Sequence, residues 1–216
     1  MRWTSVELPP KNYWRRVRDI CDEHGILLIF DEIPSAIGRT GEMFVCEHFD
    51  VVPDMLVIGK GLGGGIFPMA ALLVREDLDV TGDRALGHYT HEKSSVGCAA
   101  ALATIDCLFE ERLIENARAL GRRGLERLKE IKAKYPLVHD IRGLGLFFGI
   151  ELRIDNQPAL QAAEDTLYHS LSQGLSYKIG AGCVLTLCPP LTITEAELFS
   201  AFDIIEQGLN AVAPCT

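Results

Sequence analysis

Apolar residues recur three or four positions apart at Trp14, Val17, Ile20 and Cys21, the spacing of one helix face. Pro9-Pro10 is a natural start for that helix and His24-Gly25 a stop. The period then changes. ILLIF at 26–30 is an unbroken apolar run of strand length that delivers Asp31 and Glu32 at its carboxyl edge. A second strand is predicted at Met55–Ile58, after the break at Pro53-Asp54, and leads into GKGLGGG at 59–65. A third is predicted at 69–74. The runs at 26–30 and 69–74 read as buried strands, far shorter than a membrane span.

Residues 76–93 are polar and glycine-containing, as in a surface crossing, and an alanine-rich stretch from about 94 to 110 predicts a helix. A second helix, 113–134, lines up Leu120, Leu125, Leu128 and Ile131 on one side. Pro136 marks a change of texture. After it, 138–152 is strand-like with glycines, 158–173 helical and 184–187 another short strand. Thr194 followed by Glu197 has the spacing of a capping box for a last helix. The alternation of helix and strand predicts an α/β fold in residues 1–136, with ligands gathered beyond the carboxyl ends of the strands. Residues 137–216 are predicted to form a smaller α+β domain.

Composition narrows the class. With 48% hydrophobic and 24% charged residues the 216-residue chain is globular and able to bury a core. A net charge of -9, from 21 Lys plus Arg against 30 Asp plus Glu, argues against a broad nucleic-acid-binding surface. The seven cysteines are odd in number and scattered without paired ligand spacing, and no signal peptide is evident. A cytoplasmic, reducing setting is the expectation, with no membrane partner.

Two charged residues stand out. Asp31 puts a carboxylate at the mouth of an apolar strand, where it needs a charged or hydrogen-bonding partner. That partner is a protonated ring nitrogen if a pyridoxal ring is present; a structural salt bridge or a metal-binding Asp-Glu pair are the alternatives. Lys60 interrupts a run of small residues directly after the second strand. Its amine can form an imine with an aldehyde where the neutral form is favoured, and its glycine neighbours let backbone approach a flat ligand. A surface lysine in a glycine-rich turn is the alternative. The order of a P-loop is missing.

LLIFDEIPSAIGRTGEMFVCEHFDVVPDMLVIGKGLGGGIFPMAAL at 27–72 resembles the class III aminotransferases, the fold type I pyridoxal-phosphate family. FDE, GRTG, PD and GKGLGGG stand at family-like separations, and the resemblance continues through HEKSSVGCAAALA, IRGLGLFFGIEL and PPLTIT. It implies the later part of a fold type I large domain, followed by the small C-terminal domain. Pyridoxal 5'-phosphate would be the cofactor, with Asp31 on its pyridine nitrogen and Lys60 as the attachment point and proton carrier. Thr90 would reach the phosphate of the neighbouring subunit's cofactor, which makes the site a property of a homodimer. Arg39 in GRTG and Arg142 in DIRGLGL are expected to tie loops together.

The chain departs from the family in three places. Pro34 stands where relatives often have a glutamine that contacts the ring oxygen. Thr186 stands where many relatives have an arginine, three residues before the double proline, that grips a carboxylate. The sequence also begins near the middle of the usual family chain, so a complementing N-terminal fragment is a partner to expect. His88 and His91, with Glu92 and Lys93, would shape a pocket for an anionic substrate; no further ligand set makes them a metal site. The leading expectation is transfer of an amino group between an amine or ω-amino acid and a keto acid. The alternatives are an ammonia-lyase or phospholyase acting on an aminophosphonate or phosphorylated amine, and a non-catalytic fragment with a binding or assembly role.

Overall fold

The computed structural model describes residues 5–84, 92 and 94–212. The chain divides into two units, Pro9–Gly38 with Glu42–Leu113, and Arg39–Gly41 with the residues through Leu8 and from Ile114 onward.

In the first unit, helix α1 (Tyr13–His24) lays Trp14 on Phe30, ring centroids 4.6 Å apart. Strands β1 (Ile29–Asp31) and β2 (Met55–Ile58) run parallel, and β3 (Ala71–Val74) pairs antiparallel with β2. The register sets two rows across the sheet, Ile29–Met55–Val74 and Asp31–Val57–Leu72. Directly paired residues point to the same side, so both rows lie on one face. Phe30, Leu56 and Ile58 on the opposite face are buried.

The row-bearing face is open, with Ile29 54% and Leu72 56% exposed. This corrects the expectation of fully buried strands at 26–30 and 69–74. β1 starts only at Ile29, and β1 and β3 are the two edges of a three-stranded sheet in which α1 lies against the Phe30 side. An apolar run alone does not say on how many faces a strand is covered.

Helix α2 (Ser95–Glu110) opens with the Ser94 hydroxyl accepting the Gly97 N–H. It packs on the glycine turn after β2: a side-chain carbon at Gly97 would come within 2.9 Å of the Phe67 ring, and one at Gly64 within 3.1 Å of the Thr104 hydroxyl. The turn that carries Lys60 is thereby braced by a helix.

Asp54 is the buried polar anchor of this unit, 4% exposed. Its carboxylate accepts the Leu28 N–H at 2.7 Å and pairs with Arg18 at 2.8 Å and with Arg75. The Leu28 N–H first, then the guanidinium of Arg18, hold the Asp54 carboxyl below the ordinary range. Asp54→Ala is expected to cost about 1 to 3 kcal/mol, because it leaves the buried Leu28 N–H without its acceptor, while Arg18 keeps Asp22 and Arg75 keeps Asp77. The folded-state pKa is depressed, so this stabilisation is whole above the unfolded value near 3.9 and fades as pH falls through the folded one. Thermal melts of both proteins from pH 7 downward check this: the gap between them should narrow below about pH 4.

The second unit is built on an antiparallel sheet in the order β4-β5-β8-β7. Its strands are β4 (Val138–Gly143), β5 (Phe148–Ile154), β7 (Lys178–Gly180) and β8 (Val184–Leu187), with β6 (Gln157–Pro158) added to β5. Helices α3 (Leu113–Lys134), α4 (Leu160–Ser172) and α5 (Glu195–Val212) supply the rest of its core. Phe148 of β5 meets Phe202 of α5 edge to face, 5.6 Å between centroids, amid Leu128, Ile131, Leu152, Leu185 and Leu209. α3 belongs to this core through Leu120, Leu128 and Ile131, so the unit begins before the change of texture at Pro136. Thr194 and Glu197 form the expected capping box, the Thr194 N–H donating to Glu197 Oε2 at 2.8 Å.

The glycines of GRTG and RGLG meet in this unit. A side-chain carbon on Gly121 of α3 would stand 2.5 Å from the Gly145 carbonyl oxygen, and one on Gly145 would stand 2.3 Å from the Thr40 carbonyl carbon. Backbone is therefore stacked on backbone in three layers: helix α3, the Gly143–Gly145 turn and Arg39–Gly41. Arg39 fastens the stack by donating to the carbonyl oxygens of Leu146 and Pro189.

Candidate active site

The parallel pairing of β1 with β2 places Asp31 opposite Val57, and Lys60 follows three residues further along the same direction. The carboxylate and the amine thus stand at the carboxyl ends of neighbouring parallel strands, where α/β proteins gather their ligands. Asp31 is exposed, at the end of the open row with Val57 and Leu72, and its Oδ1 accepts the Ile33 N–H at 3.1 Å. Lys60 is exposed at the start of a 3-10 turn, Lys60–Gly63, with φ +51. A non-glycine residue in the left-handed region is uncommon and persists where its surroundings over-determine it; the turn hydrogen bonds and α2 do so here.

Glu32, beside Asp31, does not form an outward-facing carboxylate pair with it. It is 3% exposed, and its two oxygens accept the N–H groups of Val45 at 2.6 Å and Cys46 at 2.8 Å, the start of a 3-10 turn, Val45–Phe49. Burial raises the Glu32 pKa, with the two backbone bonds opposing. The Cys46 thiol is pushed up to about 12 by burial and then by the Glu32 charge, so it is inert at neutral pH. Among the described residues no group of three or more His, Cys, Asp or Glu is placed to hold a metal ion. The sequence signal for this second role of the DE pair was only an acidic residue one position past a strand end, which alternation turns inward when Asp31 points outward.

Thr90, His88, His91 and Lys93 lie outside the described residues. Arg142 donates to the Ser5 carbonyl at 2.7 Å and to Asp140 and Glu151, so it and Arg39 are both tied to their own unit. Thr186, 6% exposed in β8, has its hydroxyl turned back to the Val184 carbonyl at 3.4 Å. It lines a cavity of about 500 Å³ together with Lys178, its direct cross-strand partner, and Tyr177, Ile193 and Phe202.

The donor set fits pyridoxal phosphate. A carboxylate suits a protonated ring nitrogen, a primary amine suits an aldehyde, and glycines at 61, 63, 64 and 65 let backbone approach a flat ligand. Among the described residues no helix is long and apolar enough to cross a membrane.

Comparison with known proteins agrees over almost the whole chain. The model of the family "Aminotransferase class-III" matches residues 5–209. The (R)-1-hydroxy-2-aminoethylphosphonate ammonia-lyase of Vibrio splendidus is 45% identical over 215 residues, 98% of this chain and 45% of that protein. The leucine/methionine racemase of Thermococcus litoralis is 38% identical over 212 residues, 96% of this chain and 47% of that one. The solved acetylornithine aminotransferase of Elizabethkingia anophelis superposes with a TM-score of 0.90 at 30% identity, covering 98% of this chain and 52% of that structure. The chain spans about half the length of the curated relatives it matches. Strands, site residues and relatives converge on one result: the chain belongs to the class III aminotransferase family of pyridoxal-phosphate-dependent fold type I enzymes.

Proposed function

We propose that this chain carries the lysine-bearing part of a pyridoxal-phosphate ammonia-lyase whose substrate is a small aminophosphonate. The observation that carries the reading is Thr186. A buried neutral hydroxyl bonded to its own strand occupies the position where an arginine would grip a substrate carboxylate. A substrate without a carboxylate removes the need for that grip. The 45% identity to an ammonia-lyase for a hydroxylated aminoethylphosphonate supports the same reading.

Bound pyridoxal phosphate supplies an electron sink for the negative charge left on carbon when a proton is withdrawn. Lys60 is assigned the covalent attachment of the cofactor through Nζ. With the cofactor bound, Nζ would take the proton from the carbon bearing the substrate's amine and give a proton to the hydroxyl on the adjacent carbon, which would leave as water; the enamine so formed would then take up water to yield an aldehyde and ammonia. The Asp31 carboxylate holds the proton on the ring nitrogen. Thr90 is assigned to the phosphate of the neighbouring subunit's cofactor, with a homodimer as the working assembly. The open apolar face of Ile29, Met55, Leu72 and Val74 supports a further polypeptide, the N-terminal half of the family chain, as the piece that completes the enzyme.

The test is an assay with 1-hydroxy-2-aminoethylphosphonate, run on the chain alone and with the complementing half. Ammonia is expected to appear without any keto acid, at a rate that adding a keto acid leaves unchanged. Consumption of a keto acid with no free ammonia would instead establish the transfer reaction, the second reading, which the aminotransferases among the relatives support.

A further inference from the structure

Glu32 is buried at the edge of the candidate site, and neither the proposed proton transfers nor the cofactor contacts use it. Backbone and side-chain hydrogen bonds converge on it. Its N–H donates to the Val57 carbonyl at 2.9 Å, one step beyond the last β1–β2 pair; its carbonyl accepts the N–H groups of Ser35 at 3.0 Å and Ala36 at 2.9 Å. Its carboxylate takes the N–H groups of Val45 and Cys46, one on each oxygen. The end of β1, the end of β2 and the Val45–Phe49 turn are thus joined at one residue.

The residues on either side depend on that joint. Asp31 precedes it, and the N–H that orients the Asp31 carboxylate belongs to Ile33, which follows it. A charge-assisted bond requires its acceptor held to within a fraction of an ångström and a few tens of degrees, and Asp31 is an exposed side chain on a three-residue edge strand.

We propose that Glu32 is a positioning residue for Asp31: by bolting the strand end to the Val45–Phe49 turn, it holds the neighbouring carboxylate, through the Ile33 N–H, in the direction in which it meets the cofactor's ring nitrogen. The proposal rests on the assignment of Asp31 to that nitrogen. It explains why a carboxylate is used. A glutamine has one acceptor oxygen, and its amide hydrogens would face the second backbone N–H.

The experiment compares the wild-type chain with Glu32→Gln, Asp31→Asn and the double variant, thermal melts first confirming that each folds. Without cofactor, amide hydrogen exchange is expected to speed up by about tenfold or more at Ile33, Val45 and Cys46 in Glu32→Gln, with helix α2 unchanged. With pyridoxal 5'-phosphate, followed by its visible band and by borohydride trapping at Lys60, Asp31→Asn and Glu32→Gln are each expected to weaken binding by about tenfold. The double variant should be no weaker than Asp31→Asn by more than about twofold, since one residue acts through the other. Additive losses, or unchanged exchange at Ile33 beside a clear Asp31→Asn effect, overturn the positioning role while leaving Asp31 in place. An Asp31→Asn variant that binds the cofactor as the wild type does, or a wild-type chain that forms no Lys60 adduct even when assembled with its complementing N-terminal half, overturns the Asp31 assignment and the proposal with it. Should Glu32→Gln fail to fold, Glu32→Asp, which keeps the charge one methylene short, is expected to show the same ordering with smaller changes.

Discussion

Lys60→Ala is expected to lower turnover of the completed enzyme by about a thousandfold or more and to abolish the borohydride-trapped adduct. On the proposed reading Lys60 has two duties: covalent attachment, and proton transfer at the substrate carbon. Its place in a turn braced by α2 gives the substitution little to disturb, since the side chain is exposed. Circular dichroism and the melting temperature should therefore match the wild type. Added primary amines are expected to restore a small part of the rate, because they replace the proton carrier without the tether. A variant that still traps cofactor at an unchanged rate would move the attachment point away from Lys60.

The second large effect is on stability. Gly145→Ala is expected to destabilise the second unit by about 3 kcal/mol or more, the sum of a left-handed backbone and a steric collision. Gly145 sits at φ +56, and an added carbon would lie 2.3 Å from Thr40 backbone and 2.6 Å from the Gly41 nitrogen. Gly174 provides the control: it too is left-handed, at φ +85, but a carbon there meets nothing within 4 Å. Gly174→Ala is expected to cost only about 1 kcal/mol. Urea unfolding of both variants separates the collision from the backbone term, and equal losses would mean that the stack at Gly145 relaxes freely.

The helices were the most legible part of the sequence. α3 announces itself by the spacing of Leu120, Leu128 and Ile131, and α5 by Thr194 and Glu197, because side-chain period and capping chemistry are local properties. β6 and β7 were not anticipated; two or three residues are too few to display alternation. The glycine-containing stretch at 138–152 read as one strand-like segment, whereas it is two strands whose turn is set by contacts with residues a hundred positions earlier. Asp31 and Lys60 could be singled out because each is a charge against an apolar or small-residue background. The inward turn of Glu32 was hidden, since its partners Val45 and Cys46 offer only backbone, and backbone leaves no mark on composition.

The three-residue insertion Arg39–Gly41 also constrains the order of events during synthesis. Arg39 bonds to oxygens 107 and 150 residues further along the chain, so at roughly 10 residues per second it is incorporated about ten seconds before the first of its acceptors exists. Over that interval the first unit can assemble its own sheet, but the tripeptide between its two segments has nowhere to bind. The second unit is thus closed from behind, by a stitch threaded early and tightened late. A protein dissected at residue 113 into separately produced pieces would lose that stitch from the piece that needs it.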